Sequence, residues 1–268
     1  MNISPESISV LDELPLWSGP FGMRLLDAVR MTGVRRVLDI GSGLGFPVCE
    51  LAMRFGGEVQ VVGIDPWDAA LARLSLKRRV CDIANLGIVR GVAERLPFPC
   101  GCFDLLTSNN GINNVQDLGR TLAECRRVAA PGAQFVFTMN LDGTMREFYE
   151  VYEEVLRARG LEEEIRAMHT HIRAKRPPLE RMLVSAEAAG FRVADVMHDS
   201  FQYRFRSGTA MLRHFVIRLA FLDAWKDILA PELREDIFAE TDTRLNRLAD
   251  DEGELELSVP FVTVICEG

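Results

Sequence analysis

Residues 37–45 read VLDIGSGLG, an apolar run that closes on an acid, Asp39, and passes into glycines at alternating positions, Gly41, Gly43 and Gly45. Val, Ile and Leu in a short continuous run mark a buried parallel strand. Glycine lets the backbone turn sharply and lets a ligand approach without a Cβ in the way. The stretch therefore predicts a strand ending at a nucleotide-type ligand. A dinucleotide fingerprint needs G-x-G-x-x-G opening a helix. Here the third glycine falls one position early and Phe46 stands where that fingerprint takes Gly or Ala, so the spacing disfavours NAD and FAD.

VLDIGSGLG resembles the first motif of the class I S-adenosylmethionine-dependent methyltransferases, acid-x-Gly-x-Gly-x-Gly at the end of the first strand, and Asp39, Gly41, Gly43 and Gly45 fill its fixed positions. The resemblance implies that the loop, Ser42 included, passes under the methionine and ribose of S-adenosylmethionine, and that Asp39 helps hold the loop and the amino end. Val59 to Ile64 reads as a second buried strand, closed by Asp65-Pro66-Trp67. A carboxylate there can accept hydrogen bonds from both hydroxyls of a ribose. Asp65 lies 20 residues after Gly45, a spacing shared with dinucleotide enzymes. It thus supports a nucleoside ligand, and Asp39 with the glycine spacing chooses which one.

Further on, GVAERLPFPCGCFDLL at 91–106 resembles the family's third-strand loop and fourth strand. Val92 replaces the acid that commonly meets the adenine amino group, which leaves the backbone of Ala93 and the side chain of Glu94 as the adenine contacts. The loop SNNGINNVQD at 108–117 carries four asparagines. In an open parallel sheet the ligand crevice lies beyond the carboxyl ends of the strands, where their order reverses. Asn109 is expected beside the cofactor, and Asn110, Asn113, Asn114 and Asn140 beside the substrate. Asparagine also makes turns and tolerates left-handed angles, so part of this cluster is accounted for by turn chemistry. LAECRRVAAPGAQFVFT, at 122–138, matches a further stretch of the family closely, while AGFRVADV and SVPFVTVI read as the sixth and seventh strands.

The resemblance implies an α/β, Rossmann-like class I methyltransferase fold, with a seven-stranded mostly parallel sheet, an antiparallel edge strand and helical insertions forming a cap. A single domain over 1–268 is expected, with an N-terminal helical lid (1–35), a cofactor-binding core (36–140), cap insertions (141–180 and 207–252) and edge strands (191–206 and 254–267). Trp17 and Phe21 are the lid side chains that would cover the cofactor. Helices are expected over Arg146 to Met168, with Gly160 as a stop, and over Ser207 to Asp250, broken at Pro231.

Thirty-nine acidic against thirty-one basic side chains give a formal net charge of -8. That balance opposes attraction to a phosphate backbone, so nucleic acid is an unfavoured substrate. No run approaches the roughly 18 apolar residues needed to span a bilayer, and a soluble cytoplasmic protein, monomeric or homodimeric, is expected. Six cysteines without CxxC spacing predict reduced thiols and no metal site.

Methyl transfer from a sulfonium is an in-line displacement in which the cofactor carries its own leaving group. The protein aligns the partners, excludes water and, for a weak nucleophile, removes a proton. His171, His169 and Tyr149 are the candidates for that last step, with Tyr203 as an outsider. The expected function is methyl transfer to a small molecule, because inserted helices favour an enclosed pocket. Two other readings stay open: a non-catalytic S-adenosylmethionine-binding regulatory or scaffold protein, and an NAD-linked oxidoreductase.

Overall fold

A computed structural model describes residues 17–268. Residues 1–16 of the expected lid lie outside the described residues. The chain divides into two compact units: one holds the chain through Met139 with Leu179–Asp199 and Phe261–Gly268, and the other holds Asn140–Pro178 and Ser200–Pro260.

Seven strands form one sheet: β1 (Arg36–Ile40), β2 (Gln60–Asp65), β3 (Leu86–Arg90), β4 (Phe103–Asn109), β5 (Ala129–Asn140), β6 (Arg192–Phe205) and β7 (Leu255–Glu267). Their order is β3-β2-β1-β4-β5-β7-β6. Strands β1 to β5 pair in parallel, with Asp39 opposite Gly63 on β2 and Thr107 on β4. The order reverses between β1 and β4, which places the switch point at the end of the VLDIGSGLG strand. Strand β7 runs the other way: Gly132 N–H donates to the Gly268 carbonyl near one end of β5, and Leu141 N–H donates to the Pro260 carbonyl near the other. The expected Rossmann-like sheet with an antiparallel edge is therefore present.

In the first unit, apolar positions recurring at helical spacing bring α1 (Ser18–Ala28), α2 (Val48–Phe55), α3 (Asp68–Val80) and α4 (Leu118–Val128) onto the parallel strands. Leu25, Val37, Val48, Leu51, Val61, Leu74, Leu105 and Val136 meet in one buried cluster. Helix α2 begins at Val48, directly after Phe46-Pro47. A proline disfavours helical angles in the residue before it. Helix α4 starts at Leu118, where the Asp117 carboxylate caps it by accepting the Arg120 N–H at 2.9 Å.

The second unit contains α5 (Arg146–Ala158) and α6 (Glu162–Lys175), separated by Gly160 in the left-handed region at φ +69°. After α7 (Leu179–Ala188), a helix of the first unit that the pattern did not announce, the second unit resumes with α8 (Gly208–Arg213), shorter helical turns and α9 (Arg234–Glu252). Its centre is aromatic. Phe148 stacks on Trp225 with ring centroids 3.8 Å apart, and Tyr152 stacks on Phe148 at 5.5 Å. Gly208 lets α8 approach α9, because a Cβ there would lie 2.4 Å from the Cβ of Leu245.

Buried Asn85 closes the end of α2. Its Nδ2 shares its two hydrogens among the carbonyls of Ala52, Gly56 and Val59, at 2.8 to 2.9 Å, and so ties the end of the helix to the approach to β2. Replacing Asn85 with Ala removes these hydrogen bonds, and urea unfolding should register a loss of about 1 to 3 kcal/mol.

Candidate functional site

At the end of β1 the chain crosses to β2, and the Ile64 carbonyl accepts N–H groups from both Gly41 (2.9 Å) and Ser42 (3.1 Å). Gly41, Gly43 and Gly45 take φ of +76°, +49° and +113°. Their reasons differ. A Cβ on Gly43 would meet nothing nearer than 4.0 Å, and one on Gly41 only the Gly111 Cα at 3.6 Å, so both leave an open face on the loop. A Cβ on Gly45 would lie 2.8 Å from Leu74 and 3.0 Å from Cys49. Gly45 is therefore a packing glycine that seats the loop against α3.

Two carboxylates fix this turn. Asp65, at the end of β2, accepts Gly43 N–H on Oδ2 and Trp67 N–H on Oδ1, each at 2.9 Å. Burial raises its pKa while these two donors lower it. Asp39 is 1% exposed and accepts the Thr107 hydroxyl at 2.6 Å on Oδ1. Burial first, countered by that hydroxyl and reinforced by the Asp65 charge, lifts its pKa to about 7. Asp39 Oδ2 and Ser42 Oγ are buried without a hydrogen-bond partner. Buried polar atoms are satisfied in the great majority of cases, so each such orphan asks for a ligand, a water or a proton.

Across the switch point, Ser108 Oγ donates to the Ile40 carbonyl at 2.9 Å, and Gly111 packs so closely that a Cβ there would stand 2.9 Å from that hydroxyl. The asparagine loop divides by role. Asn109 donates to the Ser18 carbonyl and accepts the Thr138 hydroxyl, tying β4 to α1 and β5. Asn110 sits at φ +51°, its N–H bonded to Thr138, and Asn114 Nδ2 donates back to its carbonyl. Asn113 follows in a single turn of 3-10 helix over Ile112–Asn114. Glu94 accepts Gln116 N–H at 2.8 Å and so braces the far end of this loop, while Val92 is exposed. Pro66 and Trp67 continue from Asp65, with Trp67 47% exposed. Ala93 follows β3. Trp17 packs on Phe21 with centroids 5.4 Å apart.

The first unit thus brings Asp39, Gly41, Ser42, Gly43, Gly45, Asp65, Pro66 and Trp67 into one turn region, with Asn109 and Asn110 at the end of the neighbouring β4. Asn140, Tyr149, His169 and His171 belong to the second unit. Asn140 is buried and donates to the Thr144 hydroxyl at 3.3 Å. Tyr149 accepts the indole N–H of Trp225 at 2.8 Å. His169 Nε2 lies 3.1 Å from Glu153, on a partly exposed surface. His171 is half-buried, and its pKa is lowered first by that burial, then by the charges of Arg176 and Lys175. Sequence reasoning missed Thr107, Ser108 and Gly63, whose roles come from strand register. It also missed Arg176, for which only the Arg-Pro-Pro following a helix is a local signal. Among the described residues no group of three or more His, Cys, Asp or Glu could hold a metal, and no helix is long and apolar enough to cross a membrane.

Comparison with known proteins points to the same fold. A family profile described as a methyltransferase domain matches residues 38–137. A ubiquinone/menaquinone biosynthesis C-methyltransferase, UbiE, of Idiomarina loihiensis is 36% identical over 129 residues, 45% of this chain and 51% of the relative. A demethylmenaquinone methyltransferase of Geobacillus kaustophilus is 31% identical over 118 residues, 44% of this chain and 50% of that one. The chain spans about half the length of the curated relatives it matches. Among solved structures, a putative methyltransferase from Bacillus halodurans superposes with a TM-score of 0.61 at 16% identity, covering 93% of this chain and 99% of the other. A geranyl diphosphate methyltransferase in complex with S-adenosylmethionine gives 0.57 at 15% identity, covering 93% and 84%. These likenesses carry the fold.

Protonated Asp39 is favoured by folding, because its folded pKa of about 7 lies above the unfolded value of 3.8. Its stabilisation is complete below the unfolded pKa and is lost as pH rises through the folded one. Denaturant unfolding across that window should therefore show the native chain losing stability relative to Asp39→Asn as pH rises from about 4 to about 7. Parallel profiles would show that Asp39 does not titrate there.

Proposed function

We propose, from the premise that residues 38–137 belong to the class I S-adenosylmethionine-dependent methyltransferases, that this chain transfers a methyl group from S-adenosylmethionine to a small-molecule acceptor. The observation that carries the reading is the glycine turn at the strand-order reversal, bolted to Asp65 through Gly43 N–H and bordered by two unsatisfied buried oxygens, Asp39 Oδ2 and Ser42 Oγ. Those features fit the cofactor. An open-faced glycine backbone admits the methionine and ribose, and a carboxylate with lone pairs to spare beyond two backbone donors suits a ribose diol. A buried carboxylate oxygen without a donor suits an ammonium.

In this reading Gly41, Ser42, Gly43 and Asp39 hold the methionine end, Asp65 with Pro66 and Trp67 the ribose side, and Ala93 and Glu94 the adenine. Gly45 supports the turn by its packing. The bound cofactor supplies an electrophilic methyl with its leaving group already attached. The chain's own share is alignment, exclusion of water and, for a weakly nucleophilic acceptor, removal of a proton. Of the three candidate bases, His171 suits the last task best, because the depression of its pKa keeps the imidazole neutral and able to accept a proton near pH 7. His169 faces Glu153, and the Tyr149 oxygen is occupied by Trp225. Asn110, Asn113, Asn114 and Asn140 remain the proposed acceptor contacts.

Calorimetry with S-adenosylmethionine, S-adenosylhomocysteine and NADH tests the assignment; tight NADH binding with no response to S-adenosylhomocysteine defeats it. Asp65→Ala should weaken S-adenosylhomocysteine binding by about 1 to 3 kcal/mol, the range for hydrogen bonds to a charged group. Unchanged affinity would place the ribose elsewhere. His171→Ala should lower turnover by roughly 10²-fold or more if the acceptor needs its proton removed, and full turnover would remove His171 from that role.

A further inference from the structure

Arg176 follows the last turn of α6 and precedes Pro177-Pro178, which keeps its backbone out of helical angles, at φ −132° and ψ 78°. The residue is only 4% exposed. Nε and Nη1 are buried and bond to nothing, and no carboxylate pairs with the guanidinium among the described residues. Arginine cannot shed its proton to relieve this, as a buried lysine can. The ring of Tyr149 faces the guanidinium, its centroid 5.2 Å from Cζ. A cation–π contact offsets part of the cost of burying a charge and satisfies none of its N–H groups. Tyr149 accepts the Trp225 indole N–H and, among the described residues, donates to nothing, so its hydroxyl proton is unspent.

We propose that Arg176 is the recognition point for an oxyanion, a carboxylate or phosphate group, carried by the methyl acceptor. Naming the acceptor as occupant rests on the methyltransferase reading above. A planar guanidinium with unmet N–H groups is matched by an anion that can take two hydrogen bonds at once. The site is built before the ligand arrives: the prolines fix the backbone, Tyr149 supports the fork from beneath, and Trp225 fixes Tyr149. Arg176 also lies outside the matched methyltransferase segment, 38–137. Substrate choice on a shared fold comes from the parts that are not shared. His171 stands five residues earlier, on the helix that Arg176 follows.

The test uses the full chain and simple probes at constant ionic strength: sodium benzoate for a carboxylate, phenyl phosphate for a phosphate, and benzamide as the neutral counterpart. Calorimetry should show at least one anion binding saturably and about tenfold or more tighter than benzamide, and Arg176→Gln should weaken it about tenfold or more. S-adenosylhomocysteine affinity should stay unchanged in the variant. In anion-free buffer Arg176→Gln should melt no lower than the native chain, since it removes an unpaired buried charge, whereas a guanidinium serving only structure would leave a less stable protein. Whichever anion prevails identifies the group. Equal binding of anions and benzamide by the native chain, or equal anion binding by the variant, overturns the proposal. Should Arg176→Gln fail to fold, the native chain's preference for anion over benzamide decides alone. Loss of S-adenosylhomocysteine binding in the native chain would defeat the methyltransferase reading, and indifference to anions with that binding intact would defeat this one.

Discussion

The carboxylate of Asp65 receives two backbone N–H groups from different directions, Gly43 from the turn after β1 and Trp67 from the residue that leads into α3. The acceptor joins the two segments to each other. The turn holds left-handed angles at Gly41, Gly43 and Gly45, and α3 begins with no side-chain cap at Trp67. A charged acceptor makes such bonds shorter and stronger than neutral ones. Since Asp65 is itself largely buried, the bonds are also shielded from water. The ends of two neighbouring strands, the glycine turn and the next helix are in this way set by one side chain, and the ligand face of the turn follows from it.

Much of this was legible because it is local. VLDIGSGLG announces a strand and a turn by its own composition, and Asp65 by its place at the end of an apolar run. Helix α4 shows its limits through Asp117 at one end and the passage into β5 at the other. What escaped depends on register. Thr107 meets Asp39 only because β4 lies beside β1 with those two residues opposite, a pairing across sixty-eight positions of chain. Gly45 counts as a ligand glycine in the motif, yet Leu74 and Cys49 explain it as packing. Asn109 looked like a site amide and is held at both ends by protein partners.

The second unit is less readable for a related reason. Its helices carry an ordinary amphipathic pattern, and nothing local distinguishes a stack of aromatic rings that makes a core from one that makes a pocket. Phe148, Tyr152 and Trp225 are fully buried and contact one another, which assigns them to the core. Tyr149 stands at the edge of that stack, with Trp225 on its oxygen and Arg176 over its ring. The same aromatic mass that stabilises the unit therefore also stiffens the one tyrosine that supports a charge. A composition count cannot separate the two duties.

The Ser42 side chain fills the space that a Cβ on Gly63 would take, with contacts of 2.8 and 2.9 Å to that imagined atom. Two positions far apart in the chain thus share a single methyl-sized volume, one that closes the underside of the turn against β2. Side-chain size at 42 and at 63 is then a joint quantity: enlargement of either residue displaces the other. Drift at these positions would occur as compensated exchanges of bulk between strand and loop, and not as independent changes at each.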